Sequence, residues 1–251
     1  MNWILIVKFI FIFISGIFAG FMNVLAGGGS FITLPVLVFA GLPIDIANGT
    51  NRLANFIITS YSTYRFEKKG LGTFKYAIPL GIPALFGAML GAYISVSIPR
   101  DLLEKIVGIL ILAMIPFIFM NKETMIKGKK DLRKNSLITY VIFFLLGIYG
   151  GFLQAGIGFF LILSLVFFVG FDLVRANAVK MGVAMIYTLF STLVFILTGR
   201  VQFLYGIVLA GGGVVGAHLS TYLSVKKGSA WVRIVLIIII IASAIKFLLF
   251  P

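Results

Sequence analysis

The chain has 251 residues, 61% of them hydrophobic and only 11% charged, with no cysteine and a formal net charge of +14; its mean hydropathy is +1.16. Soluble domains carry about 25% charged residues, and a chain of this length cannot hide so much apolar surface from water, so a soluble fold is excluded. The missing cysteines exclude structural disulfides and thiolate metal sites. Most basic residues lie in short connections between apolar runs, which is the positive-inside pattern of a multi-pass membrane protein and not a nucleic-acid patch.

The first apolar run, 4–26, has no basic residue before Trp3 and is too long for the core of a signal peptide, so it reads as a spanning segment. At its end stands LAGGGSFITLPVL, Leu25 to Leu37, in which three glycines interrupt the run before a short stretch at 30–41. Spanning runs follow at 44–64, 75–96 and 101–120, then at 137–157, a second short stretch at 159–170, and further runs at 172–198, 203–224 and 230–250. The eight long runs match the roughly 20 residues that cross a 30 Å core. The short ones, if helical, reach little more than half of it at about 1.5 Å per residue.

The two short stretches belong to a repeat. GIFAGFMNVLAG (Gly16 to Gly27) lies over GIYGGFLQAGIG (Gly147 to Gly158) at an offset of 131, GLPIDIANGTNR (Gly41 to Arg52) over GFDLVRANAVKM (Gly170 to Met181) at 129, and GAMLGA (Gly87 to Ala92) over GGVVGA (Gly212 to Ala217) at 125. The expected fold is all-α and polytopic: one membrane domain, 1–251, of two homologous halves, 1–120 and 137–251, joined by a basic linker at 121–136. Each half has four long helices and one short, broken one. If all ten segments cross, the loops on one side hold thirteen Lys and Arg and the opposing loops three; if the short segments are re-entrant, the division is eleven to five. The first count follows the positive-inside rule better and predicts inverted repeats, with loops 65–75, 121–136 and 225–233 cytoplasmic.

Broken backbone survives in a bilayer only where it is buried in protein or lines a cavity. Gly27, Gly28 and Gly29 admit positive φ and leave N–H groups free to face an anion, with Ser30 expected at the N-cap of the short helix. Gly156 and Gly158 recur at the matching break beside Gln154. A tight turn between packed helices is the simpler use of one such break; its recurrence points to a shared cavity.

In IANGTNRLAN (Ile46 to Asn55) and VRANAVKMG (Val174 to Gly182), Arg52 and Lys180 lie about two turns inside spanning segments, where a charge is costly. All seven acidic residues fall at or near loops. The two cations either snorkel to an interface or line a cavity for an anion. Asn48, Thr50, Asn51 and Asn177 either join helices or bind oxyanion oxygens. Asp45 and Asp172 read first as N-caps and alternatively as proton-coupling groups. His218, the single histidine, is either packed and hydrogen-bonded between helices or a proton relay. The GxxxG pairs Gly16/Gly20, Gly87/Gly91, Gly147/Gly151 and Gly212/Gly216 read as close-packing faces. GGGS lacks the GK[ST] of a P-loop, and neither HExxH nor GxSxG occurs, so an enzyme is not expected and no cofactor or metal is implied.

The glycine break with its proline-containing half-segment, the GTN stretch after it and the weaker copy at GGFLQAGIGFF resemble the sulfite exporter TauE/SafE family over nearly the whole chain. The resemblance implies a secondary carrier of the plasma membrane for sulfite, sulfonates or related organosulfur anions, coupled to the proton gradient. It leaves open a homo-oligomer, a passive anion channel and a carrier for another small anion. The second copy departs from the first, with Ala178, Val179 and Lys180 opposite Gly49, Thr50 and Asn51, which predicts an asymmetric site.

Overall fold

The computed structural model describes residues 3–95 and 137–249. The expected helix at 101–120 and the linker at 121–136 lie outside the described residues. Every element described is helical: α1 (Trp3–Leu25), α2 (Ser30–Phe39), α3 (Ile44–Lys68), α4 (Thr73–Ser95), α5 (Leu137–Phe152), α6 (Ile157–Ser164) running on into a π-helical turn (Leu165–Val169), α7 (Leu173–Leu197) and α8 (Phe203–Leu249). Among the described residues four helices, α1, α4, α7 and the first part of α8, are long and apolar enough to cross a membrane. Their outer faces carry exposed Phe11, Phe18, Ile82, Phe86, Tyr93 and Ile207, a surface suited to lipid.

Three boundaries differ from the sequence reading by more than two residues. Helix α3 continues past residue 64 to Lys68, whose ammonium lies 4.7 Å from the Tyr64 ring centroid. It stops where Gly70 takes φ +73 and the Leu71 N–H returns to the Phe66 carbonyl. Helix α5 ends at Phe152, five residues early, because Gln154 and Gly156 both take positive φ. The runs at 203–224 and 230–250 are continuous except at Gly228, where φ 73 and ψ −175 break the helix.

Helix α3 is the least apolar of the long helices, yet it lies inside the bundle: Asn48, Thr50, Asn51, Arg52, Asn55, Thr59, Ser62 and Thr63 are all buried. It packs on α7, α8 and α2. This placement explains why a helix with so many polar side chains can exist in a bilayer, since each faces protein and not lipid.

The GxxxG faces pair across the two halves. A Cβ at Gly16 would meet the Leu209 carbonyl oxygen and one at Gly20 the Gly213 backbone; Gly212 faces the Phe13 carbonyl and Gly216 that of Ile17. Residue numbers rise together along the two helices, so α1 and α8 are parallel. The same holds for α4 and α5, where Gly87 faces Phe144, Gly91 faces Ile148, Gly147 faces Ala84 and Gly151 faces Ala88. At one end of the bundle Arg200, after α7, lies 3.9 Å from Asp45 at the start of α3. At the other, the Arg175 guanidinium at the start of α7 lies 5.3 Å from the ring of Tyr76 at the start of α4. Helix α8 therefore starts at the Asp45 end and α4 at the Tyr76 end, so their partners α1 and α5 run in opposite directions.

Candidate functional site

Helices α2 and α6 each double back from the end of the long helix before them, and their first turns meet inside the bundle. A Cβ on Gly27 would run into the Gly158 backbone, and one on Gly158 into Gly27. The Phe31 ring lies 2.9 Å from the Cβ position of Gly156, and the Phe159 ring 3.4 Å from that of Gly28. Only Gly27 of the triple glycine takes positive φ, at +81. A Cβ at Gly28 would make only ordinary contact with the rings of Phe159 and Phe31, whereas one at Gly29 would sit 2.5 Å from the Ala19 carbonyl oxygen.

Gly29, not Ser30, occupies the N-cap of α2, and no side chain caps that turn. The reason is in the bonds that Ser30 makes instead. Its hydroxyl accepts from Asn51 Nδ2 at 3.0 Å and Asn55 Nδ2 at 3.3 Å. The Thr33 hydroxyl donates to Asn51 Oδ1 at 2.6 Å, and Asn23 Nδ2 donates to Asn55 Oδ1 at 3.0 Å. One hydrogen-bonded chain thus ties the end of α1, the start of α2 and the middle of α3. Gly156 caps α6 in the left-handed conformation, again with no side-chain bond.

The two buried cations serve the opposite ends of this construction. Lys180, 1% exposed, donates to the Asn23 and Val24 carbonyls at 2.9 and 2.7 Å and to Asn177 Oδ1 at 3.1 Å. Those carbonyls belong to the last turn of α1, which lacks helical partners for them. Arg52, fully buried, donates from Nη1 to the Gly150 carbonyl at 3.0 Å, in the last turn of α5. Each half thus sends one cation to the negative end of the other half's first helix, where the backbone dipole favours it. Neither cation snorkels to an interface.

A cavity of about 10 Å³, room for a single water, lies beside these first turns. Ser30, Gln154, Ile157, Gly158, Lys180 and Tyr187 contribute to its wall, together with Asn23, Asn55 and Thr59. Gln154 Nε2 donates to the Thr188 hydroxyl at 3.0 Å. No carboxylate is in this wall. Of the wall's polar residues, the sequence reading missed Asn23, Asn55, Tyr187 and Thr59. Helical spacing could have found the second and third, since Asn55 is one turn after Asn51 and Tyr187 two turns after Lys180.

Several expected site residues lie elsewhere. The Thr50 hydroxyl accepts the Gln202 N–H at 2.9 Å, holding the start of α8, and Arg52 and Asn48 are not in the cavity wall. Asn177 is also outside the wall and accepts from the Lys180 ammonium. Asp172 is the N-cap of α7, accepting from the Val174 and Arg175 N–H groups, and also accepts from the Ser229 hydroxyl at 3.0 Å. Asp45 caps nothing, since Pro43 is the N-cap of α3 and makes no side-chain bond. His218 Nδ1 is 2.6 Å from the Tyr61 hydroxyl, an interhelical bond on an exposed face. These three titratable groups are all outside the cavity wall.

Broken half-helices meeting head to head inside an all-helical, multi-pass bundle define the class of this molecule as a membrane transporter. Residues 12–247 match the model of the sulfite exporter TauE/SafE family, and the chain belongs to that family. It is 30% identical over 246 residues to a probable membrane transporter protein, ORF9, of Sinorhizobium sp, covering 96% of this chain and 92% of that one. It is 32% identical to a probable membrane transporter protein of Haemophilus influenzae, over 90% of this chain and 89% of the relative. Against the probable membrane transporter protein YfcA of Escherichia coli K12 the identity is 28%, over 94% and 88%. No solved structure matches the chain.

Proposed function

We propose that this protein is a secondary carrier of small sulfur-containing anions such as sulfite and sulfonates, coupled to the proton-motive force. The observation that carries the reading is the convergence of two helix N-termini, α2 and α6, at a cavity whose wall holds the Lys180 ammonium and no carboxylate. Each N-terminus presents free N–H groups and the positive end of a backbone dipole. No hydrogen bond among the described residues takes the N–H of Gly28 or Gly29. The negative ends nearby are already neutralised by Lys180 and Arg52, so the field left over at the cavity favours an anion. Asn23, Ser30, Asn55, Thr59 and Gln154 line it with neutral polar groups, which would exchange their present partners for the ion.

In this reading the structure is a closed state, since a cavity the size of one water must widen to admit an oxyanion. The two halves are inverted repeats, a reading that the opposite directions of α1 and α5 support. Alternating access follows from one half rocking on the other about the Gly27–Gly158 contact. The protein lies in the plasma membrane with loops 65–75, 121–136 and 225–233 on the cytoplasmic side.

The test is flux of sulfite, thiosulfate and taurine in proteoliposomes, with and without an imposed pH gradient, for the wild type and Lys180→Ala. Saturable flux that the gradient drives and that Lys180→Ala abolishes is expected. Flux unchanged in the variant would remove the charge role, absence of flux for every oxyanion would remove the substrate class, and unitary current steps would make the protein a channel.

A further inference from the structure

Arg52 does more than hold Gly150. Its guanidinium is stacked on Phe195, 4.6 Å from the ring centroid, and Nη1 is used on the Gly150 carbonyl. The other edge is idle: Nε and Nη2 are both buried and neither has a hydrogen-bond partner among the described residues. Nε and Nη2 are the side-on pair of a guanidinium, two parallel N–H groups whose spacing matches two oxygens of an oxyanion. Among the described residues no acidic side chain answers them: Asp45, Glu67 and Asp172 are all at helix ends. A permanently charged fork with idle donors in a bilayer core is a costly arrangement that a ligand would relieve.

Other unused polar atoms stand one helical turn from Arg52 or from the ring it stacks on. Thr192 stands one turn before Phe195 on α7, 3% exposed, and its Oγ1 has no partner. Asn48 stands one turn before Arg52 on the same face of α3, 5% exposed, and its Oδ1 has none either; a carboxamide can present either its oxygen or its NH₂ to a ligand. Arg52 is outside the wall of the central cavity, but Tyr187 is in that wall. Both meet at Gly150, whose carbonyl takes Arg52 and whose Cβ position is 3.1 Å from the Tyr187 ring. Arg52 is on the Asp45 side of the cavity and Lys180 on the Tyr76 side.

We propose that Arg52, with Thr192 and Asn48, forms a second oxyanion site in series with the central cavity and partitioned from it by the ring of Tyr187. The proposal rests on the anion reading of the cavity. An ion entering from the Asp45 end meets the Arg52 fork first, and movement of Tyr187 passes it to the half-helix N-termini. Two sites in series let one ion displace the next, so that a tight central site can still release its cargo.

The experiment counts bound ions on the full chain in lipid nanodiscs, by equilibrium dialysis with radiolabelled sulfite and, in a separate arm, radiolabelled chloride. The wild type is expected to bind two sulfite ions per chain, and Arg52→Lys, which keeps the charge and loses the fork, one. Thr192→Val, which removes one donor and no charge, is expected to weaken the second site about tenfold and leave the first unchanged. Lys180→Met is expected to keep the Arg52 site alone. One sulfite per chain in both the wild type and Arg52→Lys would overturn the second site and leave the central one standing. Chloride in place of sulfite at Arg52 would overturn the oxyanion assignment, and no binding by the wild type would remove both sites together.

Discussion

Single glycines at the centre of this protein are placed for contact as much as for conformation. Gly27 and Gly41 both take positive φ, +81 and +92, but a Cβ at Gly27 strikes the Gly158 backbone while one at Gly41 meets nothing within 4 Å. Gly41→Ala should therefore cost about 1–2 kcal/mol, the ordinary penalty of a left-handed alanine. Gly27→Ala should cost about 1–3 kcal/mol more, because the two half-helices must separate. Thermal unfolding of the purified variants measures the difference, and equal costs would mean that the contact is dispensable. The sequence made the glycines conspicuous but could not separate these uses, since a turn and a backbone contact call for the same residue. It was similarly mute on Lys180 and Arg52: their depth was legible from the spacing, whereas their partners are carbonyl groups of the opposite half, which no side-chain pattern reveals.

At the scale of elements, the positions of helices were readable because apolar runs bounded by glycine, proline and charge have little choice of length in a bilayer. The departures are informative. Gln154 takes φ +66, unusual for a side chain other than glycine, so α5 ended before the glycines that were expected to end it. Helix pairing was half legible: GxxxG spacing marked the faces but not which face met which. That pairing predicts a contrast between neighbours in Gly211-Gly212. A Cβ at Gly211 meets only the Phe13 ring at 3.4 Å, while one at Gly212 collides with the Phe13 backbone. Gly211→Ala should stay within about 1 kcal/mol of the wild type, with the gain in helix propensity offsetting any crowding. Gly212→Ala should lose about 1–3 kcal/mol as α1 and α8 are forced apart. Unfolding midpoints in detergent check both values.

For the whole molecule, orientation in the membrane is the quantity most open to direct measurement. The chain has no cysteine, so single cysteines report without background. Lys69→Cys, after α3, and Thr198→Cys, after α7, lie at opposite ends of the bundle, both at exposed positions. A membrane-impermeant maleimide added to spheroplasts should label Thr198→Cys and spare Lys69→Cys, and inverted vesicles should reverse the result. Labelling of both from one side would refute the proposed topology.

The parallel pairing of α1 with α8 also has a consequence in time. Gly16 and Gly20 cannot find their partners until α8 has been made. Roughly two hundred residues of synthesis separate them, about 10 to 40 s at ordinary elongation rates. Throughout that interval α1 waits in the bilayer with its glycine seam against lipid, and for the first part of it, until Gly150 of α5 has been made, Arg52 is unanswered. The nascent first half is therefore the stage at which this protein is most exposed to membrane quality-control proteases.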